Sequence, residues 1–207
     1  MADQKERIKN CYDTKAGFYD WLARFGEWFG LRRKRRALLS SLRGRVLEVG
    51  IGSGINLPHY PAAVTLTGVD LSPVMLAIGK RRAERLNRAV DLRIMDVETL
   101  QFPNHSFDAV VSTLTLCTYP DPIRALREMA RVLKPDGKIL LLEHGVSNNR
   151  LLRWWQEKAA ARHFRKHLCH LTRDPLALAR AAGLTIKHQQ RFGLGAIYLI
   201  ELKPLNN

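Results

Sequence analysis

The feature that most constrains the fold is an alternation of strand-like and helix-like segments between residues 45 and 144. The strand-like segments are continuous runs of valine, isoleucine and leucine, which is typical of strands covered on both faces. Short connections between such strands and helices favour a mostly parallel, doubly wound α/β sheet. The predicted strands are 45–50, 63–71, 90–96, 107–116 and 138–144, and the predicted helices between them are 73–88 and 121–133.

The end of the chain follows a different pattern. Strand-like segments at 184–192 and 196–204 are separated by Gly-Leu-Gly, which predicts an antiparallel hairpin. We therefore expect a seven-stranded, Rossmann-like sheet that is parallel except for this hairpin. The expected organisation is a helical segment at 1–44 and a sheet domain at 45–207, with a helical insert at 147–182.

Three glycines follow the first predicted strand at every second position: Gly50, Gly52 and Gly54. Parallel sheets bind ligands at the carboxyl ends of their strands, and glycine lets a ligand approach bare backbone. The spacing GxGxG differs from the GxGxxG of dinucleotide-binding folds, and the chain has no P-loop motif. Asp70 ends the second strand, where a carboxylate can accept hydrogen bonds from a ribose diol, and Asp96 ends the third.

These motifs form an ordered series, ExGxGxG, VDxS, MDxExLxFPxxSFDxVV and RVLKPxGxxLLxE, over residues 44–145. The series resembles the class I S-adenosylmethionine-dependent methyltransferases, in the branch that includes quinone-biosynthesis and small-molecule enzymes. The resemblance implies S-adenosylmethionine as methyl donor and S-adenosylhomocysteine as product, with the insert lying over the active site. The donor-binding residues that it implies are Glu48, Gly50, Gly52, Gly54, Asp70, Leu71, Met95, Asp96 and Thr113.

The resemblance also gives each of these residues a part of the donor. Glu48 and the glycines would surround the methionine moiety, Asp70 would hold the ribose hydroxyls, and Asp96 would accept the adenine amine. Met95 would flank the adenine, Leu71 would contact the ring face, and residues 113–116 would form the wall beneath the sulfonium.

Three residues are candidates for roles in the chemistry. His144 follows the fifth strand in LLLEHG, where an imidazole can accept a proton near neutral pH, although it can also only shape the pocket. Tyr19, in GFYDW, resembles the N-terminal tyrosine that closes over the donor in this branch; packing is the alternative. Cys117 lies near the end of the fourth strand, where a small buried apolar residue is the simpler interpretation.

Neither a metal centre nor a disulfide framework is predicted. His163 and His167 in the insert have the i, i+4 spacing of metal ligands, but no HExxH or CxxC motif accompanies them. The three cysteines are an odd number at long spacings, which favours a reducing compartment.

The charge points to a polyanionic partner, because 34 lysines and arginines face 19 acids and give a formal net charge of +15. Nucleic acid is an unlikely partner, since LCTYPDP follows the fourth strand where an amino-methylating enzyme of this fold has [DN]PP[YFW]. An anionic membrane surface fits better. Residues 18–36 combine an aromatic-rich helical stripe with LRRKRR, and residues 150–166 add two tryptophans among cations. The alternative is that both aromatic groups cap the active site.

The acceptor is the least constrained part of the prediction. LEVGIGSGINLPHYP and GVDLSPVML are similar to the soluble bacterial phosphatidylethanolamine N-methyltransferases, whereas STLTLCTYPDP and LLLEHG resemble membrane-associated thiol S-methyltransferases. The second type has Gly-Cys before Leu-Thr-Arg, where this chain has LCHLTR. We expect a cytoplasmic enzyme, peripheral on the inner face of the membrane, that N-methylates phosphatidylethanolamine and its partly methylated forms. Alternatives are S-methylation of small thiols or sulfide, C-methylation of a quinone, methylation of nucleic acid, and donor binding without catalysis.

Overall fold

The computed structural model of the chain describes residues 2–26 and 30–204; within the first helix, the side chains of residues 2, 18, 19 and 22–26 are outside the description. The described residues form seven strands and six α-helices. The strands are β1 (Arg45–Val49), β2 (Thr65–Asp70), β3 (Asp91–Ile94), β4 (Phe107–Thr113), β5 (Leu133–His144), β6 (Leu184–Phe192) and β7 (Ile197–Pro204). The helices are α1 (Ala2–Gly26), α2 (Arg32–Leu39), α3 (Pro73–Arg85), α4 (Pro122–Val132), α5 (Arg150–His167) and α6 (Pro175–Ala181).

All seven strands belong to one sheet, in the order β3-β2-β1-β4-β5-β7-β6. Strands β1 to β5 pair in parallel, and β7 lies antiparallel between β5 and β6. The predicted doubly wound sheet with a C-terminal hairpin is therefore confirmed. The strand order reverses between β1 and β4, and ligands of open α/β sheets bind at such a switch point.

Helices cover both faces of the sheet, which explains the continuous apolar runs in the central strands. Leu47 and Leu141 pack in a core with α4 and α6, whereas Val46 and Leu142 pack on the opposite face with α2 and α3. All four side chains are fully buried. Burying both faces of a strand requires apolar side chains in succession, so the pattern reflects this layering.

Helices α3 and α4 each begin just after a strand, and the local sequence fixes where they start. The side chain of Ser72 accepts a hydrogen bond from the backbone N–H of Met75, and that of Asp121 accepts one from Arg124. A proline occupies the first turn in both cases, where its missing N–H costs nothing. Both helix N-termini therefore lie near the carboxyl edge of the sheet.

Two strand boundaries differ from the prediction by more than two residues, each for a backbone reason. Strand β4 ends at Thr113 instead of residue 116, because Leu114 turns into the left-handed region with φ of 58°. Strand β5 begins at Leu133 instead of residue 138, because Leu133 already pairs with Phe107. The register then shifts between Phe107 and Ala109, which accommodates the extra residues as a bulge.

The hairpin and the helical regions lie where the sequence predicts them. Strand β6 covers the predicted 184–192, and helices α5 and α6 fall within 147–182. The division into a helical segment at 1–44 and a sheet domain at 45–207 stays a prediction. None of the described helices is long and apolar enough to cross a membrane.

Candidate functional site

The turn after β1 brings the three predicted glycines to the carboxyl edge of the sheet, each with a positive φ that favours glycine. A Cβ on Gly50 would lie 2.5 Å from Thr115 Cγ2, and one on Gly54 would lie 2.7 Å from Leu57 Cδ1. Neighbouring side chains therefore require these two glycines. Gly52 differs, because its Cβ would point between Met75 Cε at 3.2 Å and the Asp70 carboxylate at 3.9 Å.

Asp70, at the end of β2, organises this turn with its carboxylate. Its Oδ2 accepts a hydrogen bond from Gly52 N at 2.9 Å, and its Oδ1 accepts one from Ser72 N at 2.9 Å. Each oxygen keeps a further lone pair for another donor. Burial raises the pKa of Asp70, and hydrogen bonds from Ser72, Gly52 and Leu71 oppose that effect. This arrangement fits a carboxylate that receives a ribose diol.

Asp96, which follows β3, is already engaged by the N-terminal helix. Its Oδ1 accepts a hydrogen bond from Glu98 N at 2.9 Å, and its Oδ2 lies 2.5 Å from the ammonium of Lys5. The same ammonium lies 2.5 Å from Oε2 of Glu98, whose side chain is buried. Lys5 therefore holds the carboxylate that is predicted to accept the adenine amine.

Helix α1 makes two further polar contacts along the same edge. Asp13 accepts a hydrogen bond from Ser72 Oγ at 2.5 Å, and Asp20 forms an ion pair with Arg82 at 2.7 Å. Together with Lys5, these contacts place α1 along the carboxyl ends of β2 and β3 and beside α3. The helix thus lies against the predicted adenosine site.

Glu48 and Thr113 belong to a buried polar network that the sequence does not predict. Asn56 Nδ2 donates to Glu48 Oε1 at 2.6 Å, and Tyr60 Oη donates to Glu48 Oε2 at 2.9 Å. Arg35 Nη1 donates at 2.9 Å to Asn56 Oδ1 and at 2.9 Å to Thr113 Oγ1. The network ties α2 to the ends of β1 and β4.

The burial of Arg35 corrects one part of the predicted membrane contact. LRRKRR was expected to present five cations to lipid, but Arg35 is only 4% exposed. Lys34 lies 3.4 Å from the centre of the Phe192 ring. Arg32, Arg33 and Arg36 are exposed on the same helix.

The charge state of Glu48 follows from its burial. Desolvation raises its pKa to about 7, although the hydrogen bonds from Asn56 and Tyr60 and the charge of Arg35 lower it. A buried carboxyl with so high a pKa is part-protonated near neutrality. Glu48 therefore makes the free energy of unfolding depend on pH, and this dependence can be measured.

The other side of the site forms around the turn after β4. Glu143, fully buried in β5, accepts hydrogen bonds from Ser112 Oγ at 2.8 Å, from Thr115 N at 3.3 Å and from Leu116 N at 3.2 Å. Leu114 N donates to the carbonyl of Leu142 at 2.8 Å. One acidic side chain of β5 thus fixes the residues predicted to lie beneath the sulfonium.

His144, the last residue of β5, meets two cysteines from distant segments. Its Nε2 lies 3.2 Å from Sγ of Cys169, which follows α5, and Cys117 Sγ completes the group. The three ligand atoms all lie within 4.8 Å of one another. His163, on α5, also lowers the pKa of Cys169. Among the candidates, His144 and Cys117 are therefore brought together.

The protonation of this group is set by its hydrogen bonds. The interaction with Cys117 lowers the pKa of Cys169 to about 4 despite burial, and His144 acts in the same direction. The same interaction raises the pKa of Cys117. Burial lowers the pKa of His144, but its hydrogen bond with Cys169 outweighs burial and leaves that pKa raised.

Arg173 joins the loop after α5 to this region. Its Nη1 donates to the carbonyl of Leu116 at 2.6 Å, and His170 N donates to the carbonyl of Cys117 at 3.0 Å. Sequence reasoning did not single out Arg173. The signal for it is the Leu-Thr-Arg segment noted in the comparison with thiol S-methyltransferases.

The remaining predicted residues are placed as follows. Met95 packs against the core, and its sulfur accepts a hydrogen bond from Gln101 N at 3.3 Å. Leu71 is half-buried next to Asp70. The Tyr19 side chain lies outside the described residues, so its role stays a prediction, as do the donor contacts of the other residues. The backbone of Gly52 beside the Asp70 carboxylate fits an adenosyl donor with a ribose diol.

A sheet of this order, with a glycine turn after β1 and acids after β2 and β3, defines the class I methyltransferase fold. Residues 47–141 match a family model described as a methyltransferase domain. A SAM-dependent methyltransferase from Methanosarcina mazei has a similar structure, with a TM-score of 0.62 at 21% identity over 79% of this chain and 93% of that one. In its fold, and over residues 47–141, the chain is similar to the S-adenosylmethionine-dependent methyltransferases.

Two curated relatives differ in acceptor. A phosphatidylethanolamine N-methyltransferase of Cereibacter sphaeroides is 40% identical over 115 residues, 55% of this chain and 57% of the relative. A ubiquinone/menaquinone biosynthesis C-methyltransferase of Geotalea daltonii is 31% identical over 154 residues, 69% of this chain and 65% of the relative. The chain thus spans less than two thirds of the length of these relatives.

Proposed function

We propose that the chain transfers the methyl group of S-adenosylmethionine to the amine of phosphatidylethanolamine and its partly methylated forms, at the cytoplasmic face of an anionic membrane. The 40% identical relative supports this acceptor. The observation that carries the membrane part is the exposed face of α5. Leu151 is 80% exposed, Trp154 59% and Trp155 57%.

Cations share this face of α5. Residues at i, i+4, i+7 and i+11 lie on one side of a helix, and Leu151, Trp155, Lys158 and Arg162 have this spacing. All four are exposed. Tryptophan with neighbouring cations suits the boundary between acyl chains and anionic headgroups. The net charge of +15 favours the same surface.

The opposite side of α5 is attached to the site. Gln156, which is buried, donates from Nε2 to the carbonyl of Gly145 at 2.9 Å and accepts from Ser147 N at 2.8 Å. Gly145 directly follows His144. A membrane that contacts the outer face of α5 would therefore lie one helix diameter from the end of β5, about 10 Å.

The bound donor supplies an electrophilic sulfonium methyl group, so the chain has to align the acceptor with it and exclude water. In this proposal the Asp70 carboxylate holds the ribose and Glu143 fixes the turn beneath the reacting atoms. An amine must reach the methyl carbon unprotonated. The base role of His144 remains a prediction.

The second candidate is S-methylation of a small thiol or sulfide. The cysteine–histidine group at the ends of β4 and β5 favours it, because a thiol has to lose its proton to attack and the imidazole of His144 in this group can accept it. This function needs no membrane contact, so the two candidates differ in a measurable way.

The test is transfer of label from the donor to three acceptors: phosphatidylethanolamine vesicles with and without anionic lipid, simple thiols, and a quinol. We expect the vesicles to be labelled, and more strongly with anionic lipid. Label on thiols alone would favour the second candidate, and label on the quinol alone would contradict both.

A matched pair of variants tests the membrane face. Trp154→Gln with Trp155→Gln should abolish flotation with anionic vesicles and leave donor affinity unchanged. The control is Ile94→Gln, which changes a side chain that is 64% exposed on β3, at the far edge of the sheet. Equal flotation of the two variants would contradict the assignment of α5.

A further inference from the structure

The cysteine–histidine group combines three metal-ligating side chains at the edge of the sheet. Cys117 lies in the turn after β4, His144 ends β5, and Cys169 follows α5. Each offers one ligand atom, and the three atoms lie within 4.8 Å of one another. We propose that Cys117, His144 and Cys169 form a binding site for a soft divalent metal ion, with Zn²⁺ as the preferred ion.

The distances suit tetrahedral coordination. Zinc binds cysteine sulfur at about 2.3 Å and histidine nitrogen at about 2.0–2.1 Å. At a tetrahedral angle these bond lengths separate the sulfur and nitrogen by about 3.5 Å. The observed separation between Cys169 Sγ and His144 Nε2 is 3.2 Å. A shift of a few tenths of an ångström would bring this pair to that separation, and the other two pairs lie within 4.8 Å.

The composition of the group selects the metal. Two thiolates and one imidazole favour zinc and similar soft ions, whereas calcium and magnesium require oxygen ligands. Three protein ligands leave a fourth position for water or a substrate atom, as in catalytic zinc sites. The charges of two thiolates and a divalent cation cancel, which lowers the cost of holding both thiolates in a half-buried place.

The backbone holds the three ligands in place by contacts that need no metal. Cys117 is held by the hydrogen bond from His170 N to its carbonyl, and the turn before it is fixed by Glu143. His144 pairs with Ile197 of β7. Helix α5 ends at His167, and the next residue, Leu168, has a φ of 53°; this left-handed residue directs the chain to Cys169. The site is therefore preorganised.

The insert histidines support this site instead of forming their own. His163, on α5, lowers the pKa of Cys169, and its ring lies 4.6 Å from that of His167. Within the described ranges 2–26 and 30–204, the three-residue group is the one cluster of cysteine, histidine, aspartate or glutamate with metal-binding spacing. A histidine that orients a metal-bound cysteine acts in the manner of an outer-shell ligand.

A metal ion at this group would change the proposed chemistry, and this consequence alone rests on the proposed function. A metal bound to His144 Nε2 would occupy the lone pair that a proton acceptor needs, so this nitrogen could not serve as the base. The fourth position would instead bind a thiolate acceptor in the second candidate function. Metal binding itself can be measured without donor or acceptor.

The experiment measures binding of Zn²⁺ and Co²⁺ to the full chain, reduced and freed of metal with a chelator. We expect one Zn²⁺ per chain, and a Co²⁺ spectrum with the intense near-ultraviolet absorption of thiolate coordination. Cys117→Ser, Cys169→Ser and His144→Gln should each weaken Zn²⁺ binding by about 100-fold. Cys11→Ser and His188→Gln are matched controls outside the group. Both should leave the affinity for Zn²⁺ within about twofold of that of the unsubstituted chain.

Several results would overturn the proposal. They are absence of stoichiometric Zn²⁺ binding by the reduced chain, equal binding by the three variants and the two controls, or a Co²⁺ spectrum without thiolate absorption. The spectrum of the unsubstituted chain decides the matter even if a variant fails to fold. Calorimetry of S-adenosylmethionine binding to the metal-free chain separates this outcome from failure of the proposed function.

Discussion

The two halves of the candidate site are assembled in different ways. The donor edge uses residues that directly follow β1, β2 and β3, so each is placed by the end of its own strand. The acceptor side collects Cys117, His144, Cys169 and Arg173 from three segments, separated by up to 56 residues. One half is defined by local spacing and the other by how distant segments pack.

This difference has an energetic side. On the donor edge, Asp70 bonds the backbone amides of Ser72 and Gly52, which lie 2 and 18 residues away in the turns after two adjacent strands. On the acceptor side, Arg173 and His170 reach backbone carbonyls more than 50 residues away. Changes at the donor edge should therefore alter donor affinity, whereas changes at the acceptor side should alter the rate of transfer.

The largest effect is expected for Asp70→Ala. The variant loses the carboxylate that holds Gly52 N and that is predicted to hold the ribose, so affinity for S-adenosylmethionine and S-adenosylhomocysteine should fall about 100-fold. Isothermal titration calorimetry with each ligand measures the two affinities. Asp91→Ala, which removes an exposed acid of β3 paired with Arg93, is the control. Unchanged affinity in Asp70→Ala would show that the donor edge is wrongly assigned.

The next effect concerns stability and pH. The pKa of Glu48 rises to about 7 on folding, so the native state is penalised as the pH rises from about 4.5 and the penalty is complete above about 7. Glu48→Gln should remove it and stabilise the chain at pH 8 by on the order of 2 kcal/mol, with little change at pH 4.5. Urea unfolding at the two pH values measures this.

Glu128→Gln provides a control of opposite sign. Its hydrogen bond with Arg131 lowers the pKa of Glu128, so its ionised form stabilises the fold above pH 4.5 and that contribution is lost on acidification. This variant should be destabilised at pH 8. A loss of stability in both variants at pH 8 would mean that the Glu48 network needs the carboxylate.

The sequence predicts most of the donor edge and little of the acceptor side. The mostly parallel sheet with its C-terminal hairpin and the positions of Gly52, Asp70 and Asp96 follow from periodicity and spacing, because strand ends of a parallel sheet share one edge. The Arg35 network could not be predicted, since LRRKRR has the pattern of a solvated basic helix and only packing shows which arginine turns inward. The contact of Lys5 with Asp96 depends on where α1 docks, which no local motif specifies.

The acceptor side shows the limit most clearly. Cys117 and His144 were candidates because each follows a strand, but nothing in the spacing brings Cys169 to them. That contact requires α5 to end at His167 and the following loop to return to the sheet. Such a return is a property of the tertiary fold.

Arg173→Met tests whether the acceptor side acts on rate alone. Loss of the hydrogen bond to the Leu116 carbonyl should loosen the turn beneath the methyl group and lower kcat about tenfold. Donor affinity should stay within about twofold. Arg165→Met, on the exposed end of α5, is the matched control. A fall in donor affinity equal to the fall in kcat would contradict the inference that the acceptor side affects only the rate of transfer.

The smallest effect is expected for Lys5→Ala, and it tests the donor edge from the outside. Lys5 and Asp96 are each about one fifth exposed, and ion pairs of this kind contribute little, at most about 1 kcal/mol. Releasing Asp96 Oδ2 from the ammonium should make the carboxylate available to the adenine amine and tighten donor binding about threefold. Lys9→Ala, whose ammonium pairs with Glu6 and Asp13 on α1 itself, should change it less. Weaker donor binding in Lys5→Ala would mean that Lys5 is part of the pocket, and the donor edge would then depend on a distant segment just as the acceptor side does.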